Sequence, residues 1–164
     1  MKLEDYKINN PKPLRKASLC FLVQGDEILL AMKKKGFGIN RWNGVGGKPE
    51  GNEKIEMTMV RETQEEIMVS PISYRQVASL DFYNALQEEW NQQVIVYFAD
   101  EWRGEPSETE EMAPKWFKKD KLPFEKMWPD DPYWLPLVLG GKFVEAEFLF
   151  GKNDIVLDQL VMTK

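Results

Sequence analysis

Apolar and polar positions follow two periods along this chain, and the switches between them mark out its elements. Apolar runs at 17–23 and 28–32 flank Gln24-Gly25-Asp26-Glu27, which is a hairpin signal. After residue 52 the period becomes helical. Ile55, Met59, Thr63 and Ile67 recur every four residues and predict a buried stripe, with Asn52 as N-cap and Glu53 in the first turn. Pro71 biases Ser70 away from helical geometry and helps to stop that helix. Residues 77–83 and 94–99 read as strands joined by a polar stretch at 84–93. An acidic loop at 103–111 holds Gly104 and Pro106 and precedes a short strand at 115–117. A second helix is expected over 132–139, ended by Gly140-Gly141. Residues 143–150 alternate, and with 155–162 across the turn Gly151-Lys152-Asn153-Asp154 they close the chain on a hairpin. Residues 1–16 are polar, carry Pro11 and Pro13, and read as an N-terminal arm or early turn. The pattern predicts one domain over 17–164, an α+β or layered α/β/α arrangement of a mixed sheet and packed helices.

Composition narrows the chemistry. The 164 residues are 43% hydrophobic and 12% aromatic, enough for one sizeable core. Asp and Glu outnumber Lys and Arg by 27 to 22, which argues against a nucleic acid polymer as partner, since that needs a basic face. A small polyphosphate stays possible where metal ions intervene. There is no histidine, so Ser-His-Asp and Cys-His nucleophiles and His-ligated zinc are all excluded. The lone cysteine, Cys20, lies in the apolar run SLCFLV and reads as a buried strand residue. No apolar run approaches the roughly 20 residues of a membrane span, and residues 1–5 form no signal peptide. A soluble cytoplasmic protein is expected, with no membrane partner; monomer and dimer are both compatible with the sequence.

The candidate chemistry lies between Arg41 and Val69. Gly44, Gly46 and Gly47 form a loop that permits close backbone approach. On the helix that follows, Glu62 lies three residues before Glu65 and four before Glu66, so these carboxylates share a side. Like charges so placed repel, but hard oxygen donors at that spacing suit Mg²⁺ or Mn²⁺. Gly47, Glu53, Arg61-Glu62, Glu65-Glu66 and Val69, at this spacing, resemble the Nudix box. Thr63 stands where that family usually has an aliphatic residue, and Met68 where it has glycine. The resemblance implies a sheet sandwiched between helices and a metal held by Glu62, Glu66 and a main-chain carbonyl at Gly46 or Gly47. It makes Glu65 a further ligand or water-activating group, pairs Arg61 with Glu53 structurally, and suggests a carboxylate outside the box, for which Glu111 is the best candidate.

A second segment, 124–134 (FEKMWPDDPYW), resembles the branch of Nudix hydrolases that acts on oxidised purine nucleotides. Stretches 34–38, 41–44 and 111–114 are similar to that branch as well. Trp128 offers a flat face to a purine, and stacking of this kind is worth about 1–3 kcal/mol. Adjacent Asp130 and Asp131 resist double ionisation, so one can donate to a base edge while the other accepts. The resemblance gives Asn43 a part in reading the base and sets Met112 beside the site. Of the basic run Lys33-Lys34-Lys35, either all three are a solvated strand end or one, taken as Lys33, faces the phosphates. A plainer reading makes Asp131 an N-cap before Pro132 and Trp128 ordinary core. The function implied is Mg²⁺-dependent hydrolysis of oxidised purine nucleoside triphosphates, such as 8-oxo-dGTP and 2-hydroxy-dATP, to monophosphate and pyrophosphate. The alternatives are a Nudix pyrophosphatase for another nucleotide and a catalytically silent binding module.

Overall fold

A computed structural model describes residues 1–164. Strand β1 (Arg15–Gln24) turns at Gly25-Asp26 into β2 (Glu27–Lys33), the hairpin expected. Beyond their first register pairs the two strands splay apart, and β3 (Trp42–Asn43) pairs with the freed edge of β2 at Ala31 and Met32. The other edge of β2 carries β6 (Met112–Lys118). On the far side of β1 lie β5 (Gln92–Arg103), parallel to it, then β4 (Ser70–Asn84), β7 (Val144–Phe150) and β8 (Val156–Thr163). Parallel β1–β5 and β4–β7 pairs beside antiparallel neighbours make this a mixed sheet.

The central strands bury both faces, which is why they read as unbroken apolar runs. In β1, Ala17, Phe21 and Val23 point into one core while Cys20 and Leu22 point into the other. In β5, Val94, Val96 and Phe98 join the first core, and Ile95, Tyr97 and Ala99 the second. Helix α3 (Asp131–Leu139) covers the first face with fully buried Trp134 and Leu135. Helix α2 (Ile55–Ile67) covers the second with Met59, Thr63 and Ile67, the stripe expected from the spacing. The result is an α+β sandwich, helix, mixed sheet, helix. Buried Thr63 satisfies its hydroxyl by donating to the Met59 carbonyl at 2.7 Å, so a polar residue fits an aliphatic position. Cys20 is 1% exposed, and burial pushes its thiol up to about 12.

Four expectations are corrected. Residues 3–9 are not an irregular arm but helix α1 (Leu3–Asn9), whose Leu3 and Tyr6 are buried against Tyr83 and Leu149. Asn52 does not cap α2; it sits in a turn, and the helix starts after extended Lys54. Glu53 therefore precedes the helix, where its carboxylate takes the Arg61 guanidinium and the Thr58 hydroxyl instead of first-turn amides. Pro71 does not end α2, because it already belongs to β4, which is much longer than the apolar pattern shows. Proline is tolerated there because β7 pairs with β4 only from Ala78 onward, leaving an open edge.

The helix ends instead at Met68, which adopts the left-handed conformation (φ 65°, ψ 31°) with its N–H on the Gln64 carbonyl. Its side chain is 52% exposed and packs little. A left-handed non-glycine residue costs about 1–2 kcal/mol, while a glycine gives back about 0.5–1 kcal/mol through unfolded-state freedom. Met68→Gly should raise the thermal midpoint by a few degrees. A lower midpoint in a thermal melt would show that the Met68 side chain contributes more than its backbone costs.

Candidate active site

The glycine loop fills the wedge between β1 and β2. Val45 exchanges hydrogen bonds with Cys20 (2.6 and 2.9 Å), and the Ser18 N–H donates to the Gly47 carbonyl at 2.8 Å. A Cβ on Gly46 would collide with the Ser18 backbone carbonyl, so the loop can lie this deep only with glycine there; one on Gly47 would push aside the Glu62 carboxyl group. The Gly47 carbonyl is taken by both the N–H and the hydroxyl of Ser18, whereas no donor reaches the Gly46 carbonyl. Of the two, Gly46 is the free main-chain oxygen.

Helix α2 brings its carboxylates to this loop. Glu66 is 4% exposed and accepts from the Gly46 N–H at 3.2 Å. Its carboxyl is pushed up to about 8, first by burial and then by the Glu62 charge, with the Gly46 N–H and Lys33 pulling the other way. Glu62 is also raised by burial, against the pull of Arg61. Glu111 is exposed on the loop beside them, and its charge acts on both. Glu65 lies further out and binds Arg61 at 3.2 Å. Arg61 also binds Glu62 (2.9 Å), Glu53 (2.9 and 3.0 Å) and the Lys48 carbonyl (3.1 Å). This guanidinium holds Glu53 down at about 2 and ties the loop to the helix.

No three of these carboxylates already surround one point as a cation cage, because Arg61 holds Glu62 and Glu65 to its own side. The donor set nonetheless fits a divalent cation. Glu62, Glu66 and the free Gly46 carbonyl are hard oxygens, and a buried Glu66 raised by burial and by the Glu62 charge is relieved by positive charge. The loop after Gly104 steadies this corner by covering the end of α2: Ser107 N–H donates to the Ile67 carbonyl (2.9 Å) and the Thr109 hydroxyl to that of Glu66 (2.8 Å).

A pocket of about 500 Å³ opens beside the loop. Lys33, Asn43, Met112, Trp128, Asp130 and Asp131 all line it, together with Gly46 and Gly47. Lys34, by contrast, turns away to Glu108 at 2.6 Å. Asp130 and Asp131 are almost fully buried. The Trp134 indole N–H donates to Asp130 at 2.8 Å and the Trp128 N–H to Asp131 at 3.2 Å. Neither side chain caps α3, so the capping alternative does not hold, and half-buried Trp128 is a pocket wall rather than plain core. Burial raises Asp130 to about 6; burial and the neighbouring Asp130 charge drive Asp131 well above the usual carboxylate range.

Several lining residues escape sequence reasoning. Arg41 lies over the Trp128 ring at 4.3 Å, donates to the Met127 carbonyl at 3.0 Å and pairs with Asp154 at 3.1 Å. Phe37 and Trp90 stand at the mouth. Arg41 at least carries a signal, two positions before Asn43; Trp90 lies in a polar stretch that shows no strand or helix period.

Fold, glycine loop and acidic helix together define a phosphoanhydride-hydrolase architecture. The NUDIX domain family model matches residues 13–138, and the chain belongs to that family of hydrolases, whose members generally use divalent metal ions. A protein of Mus musculus named oxidized purine nucleoside triphosphate hydrolase is 41% identical over 140 residues, 85% of this chain and 89% of its own. Its namesake in Danio rerio is 38% identical over 141 residues, 86% of this chain and 90% of its own. Among solved structures, a mutator MutT protein of Bacillus halodurans superposes with a TM-score of 0.77 at 23% identity, covering 90% of this chain and 97% of that one. A MutT NUDIX hydrolase of Burkholderia pseudomallei gives 0.62 at 28% identity, covering 68% and 88%. No helix is long and apolar enough to cross a membrane.

The buried aspartates predict a pH signature. Their native pKa values lie above the unfolded value near 3.8, so the folded state holds the proton more tightly. Stability from this source is full below about pH 4 and is lost as pH rises through about 6 and beyond. Asp131→Asn mimics the protonated acid and should gain stability relative to wild type between about pH 5 and pH 8. Urea unfolding of both proteins at the two pH values measures it, and parallel curves would show that Asp131 is ionised in the native state.

Proposed function

We propose that this enzyme hydrolyses oxidised purine nucleoside triphosphates, of the 8-oxo-dGTP and 2-hydroxy-dATP kind, to monophosphate and pyrophosphate, with Mg²⁺ as its working metal and Mn²⁺ as a substitute. The observation that carries the reading is the adjacent buried pair Asp130 and Asp131, opening into the same pocket as Asn43 and Trp128. An oxidised purine presents an altered set of donors and acceptors on its edge. A carboxyl pair that holds one proton can answer more than one such set. The two vertebrate relatives named for this activity support the same reading.

In this reading Glu62, Glu66 and the Gly46 carbonyl hold the metal, joined at its edge by Gly47, Glu65 and Glu111. The metal would neutralise phosphate oxygens and lower the pKa of water. The chain's own part is positional. Lys33, beside Glu66, faces the phosphates, and Met112 closes the floor next to the loop. Glu65, the most exposed box carboxylate, would accept a proton from attacking water. The nucleotide is a small-molecule partner, and the acidic chain takes no nucleic acid polymer.

Pyrophosphate release from normal and oxidised dNTPs, with and without Mg²⁺, tests the activity. Glu62→Gln and Glu66→Gln should each lower turnover by at least about two orders of magnitude, the several kcal/mol that a metal contact supplies. Circular dichroism should show both folded. Near-normal turnover at saturating Mg²⁺ in either would remove that residue from the metal site.

Base choice is tested separately. Asp130→Asn and Asp131→Asn should reorder 8-oxo-dGTP, dGTP and 2-hydroxy-dATP differently in kcat/KM, because each fixes one donor where the pair could adapt; an unpaired buried group costs about 1–3 kcal/mol. Trp128→Ala should weaken all purines alike. An unchanged ranking in both Asn variants would move the substrate elsewhere in the Nudix family.

A further inference from the structure

Helix α1 lies outside the span that the family model matches, which begins at residue 13. It is nonetheless wired to the pocket. The Tyr6 hydroxyl donates to the Asn84 carbonyl at 2.8 Å and accepts from the Asn91 side-chain amide at 3.1 Å. The Asn91 side-chain carbonyl in turn accepts from the Asn84 N–H at 2.7 Å, closing a three-residue ring. Asn84 and Asn91 are the two ends of one loop, so a single hydroxyl pins both. Within the loop, the Asn84 side-chain oxygen takes the N–H groups of Leu86 and Gln87, each at 2.9 Å. Lys12 binds Glu88 at 3.0 Å, and the Arg15 guanidinium donates to the Glu89 carbonyl. Tyr6 is itself held edge-on to Tyr83, and the helix is anchored by the Leu3 N–H on Asp158 at 2.8 Å.

What this loop presents is Trp90. Its ring is 45% exposed, lines the pocket, and meets Phe37 at 5.2 Å; Phe37 meets Trp128 at 5.1 Å. Three aromatic rings thus cross the mouth, two of them solvent-exposed and drawn from separate loops. Large exposed aromatics converging on a polar-floored pocket are rare unless something apolar and flat is to be covered.

We propose that Trp90 is a substrate-contacting, specificity-determining residue that covers the purine from the pocket mouth, and that Tyr6 of α1 is the positioning residue that sets it there. The inference rests on the purine reading above. It makes the N-terminal helix part of the binding apparatus, although the helix contributes no atom to the pocket wall.

The test uses the full chain with Trp90→Ala, Trp90→Phe, Tyr6→Phe and the Tyr6→Phe/Trp90→Ala double variant, with kcat and KM for the best purine triphosphate and binding of the matching monophosphate by calorimetry. Trp90→Ala should raise KM and the monophosphate Kd about 5- to 10-fold, the low end of a stacked aromatic's contribution, with kcat within about twofold. Trp90→Phe should restore most of the affinity. Tyr6→Phe should raise KM in the same sense, and the double variant should match Trp90→Ala alone, because a loop without its tryptophan has nothing left to position. Unchanged KM and Kd in Trp90→Ala, or effects that multiply in the double variant, would overturn the proposal, as would a loss confined to kcat together with a lowered thermal midpoint. Calorimetry keeps the two readings apart. A wild type that releases no pyrophosphate while its variants still bind monophosphate more weakly would count against the proposed activity and leave the role of Trp90 standing.

Discussion

Only a hydrogen atom fits between the Gly46 α-carbon and the Ser18 carbonyl, and the active site is built on that contact. Because β1 and β2 splay, β1 has an edge to offer; because the loop has no side chain at Gly46, it can dock there. Once docked, the loop presents its Gly46 N–H to Glu66 and its flat Gly47 face to Glu62. The depth of the acidic corner is therefore set by backbone sterics. The same loop leads the chain from β3, paired with β2 and carrying Asn43 into the pocket wall, towards α2 and its carboxylates.

Docking alone would bring acids together at an electrostatic cost. Arg61 offsets it by spreading one delocalised charge over Glu53, Glu62 and Glu65 and by bonding the Lys48 carbonyl. Planar, multidentate geometry suits arginine and not lysine here. Glu66, the deepest acid, lies beyond its reach and is the one raised to about 8. Loop and helix together thus carry a gradient, from a fully ionised carboxylate at Glu53 before α2 to one at Glu66 within it that has only an amide and the nearby Lys33 in its favour. A cation entering at Glu66 and Gly46 meets the least compensated end of that gradient.

Features carried by local spacing are legible in the amino-acid sequence. The stripe of α2 follows from a period of four, the closing hairpin from alternation, and β1 and β5 from unbroken apolar runs. The lining of the pocket by Trp128, Asp130 and Asp131 follows from one short segment. Features that depend on distant partners are not legible in the same way. Helix α1 has only two buried anchors in seven residues, and its partners at Asn84, Tyr83 and Asp158 lie far along the chain. Arg41 finds Asp154 across 113 positions. The early part of β4 hides behind Pro71 because strand propensity fades where an edge stays open. Asn52 has the residue type of a cap, but the pull of Arg61 on Glu53 decides otherwise.

Cys20 has a bearing on how such a protein ages. Thiol oxidation proceeds through the exposed thiolate, and here the only thiol is sealed between β1 and α2 with its pKa pushed up to about 12. Histidine is absent, so the chain has no imidazole to serve as base or ligand. With that thiol sealed, the sulfurs open to solvent are those of exposed methionines such as Met57 and Met162. The acidic corner of this fold is built from carboxylates and backbone amides, groups that thiol-directed oxidants leave untouched.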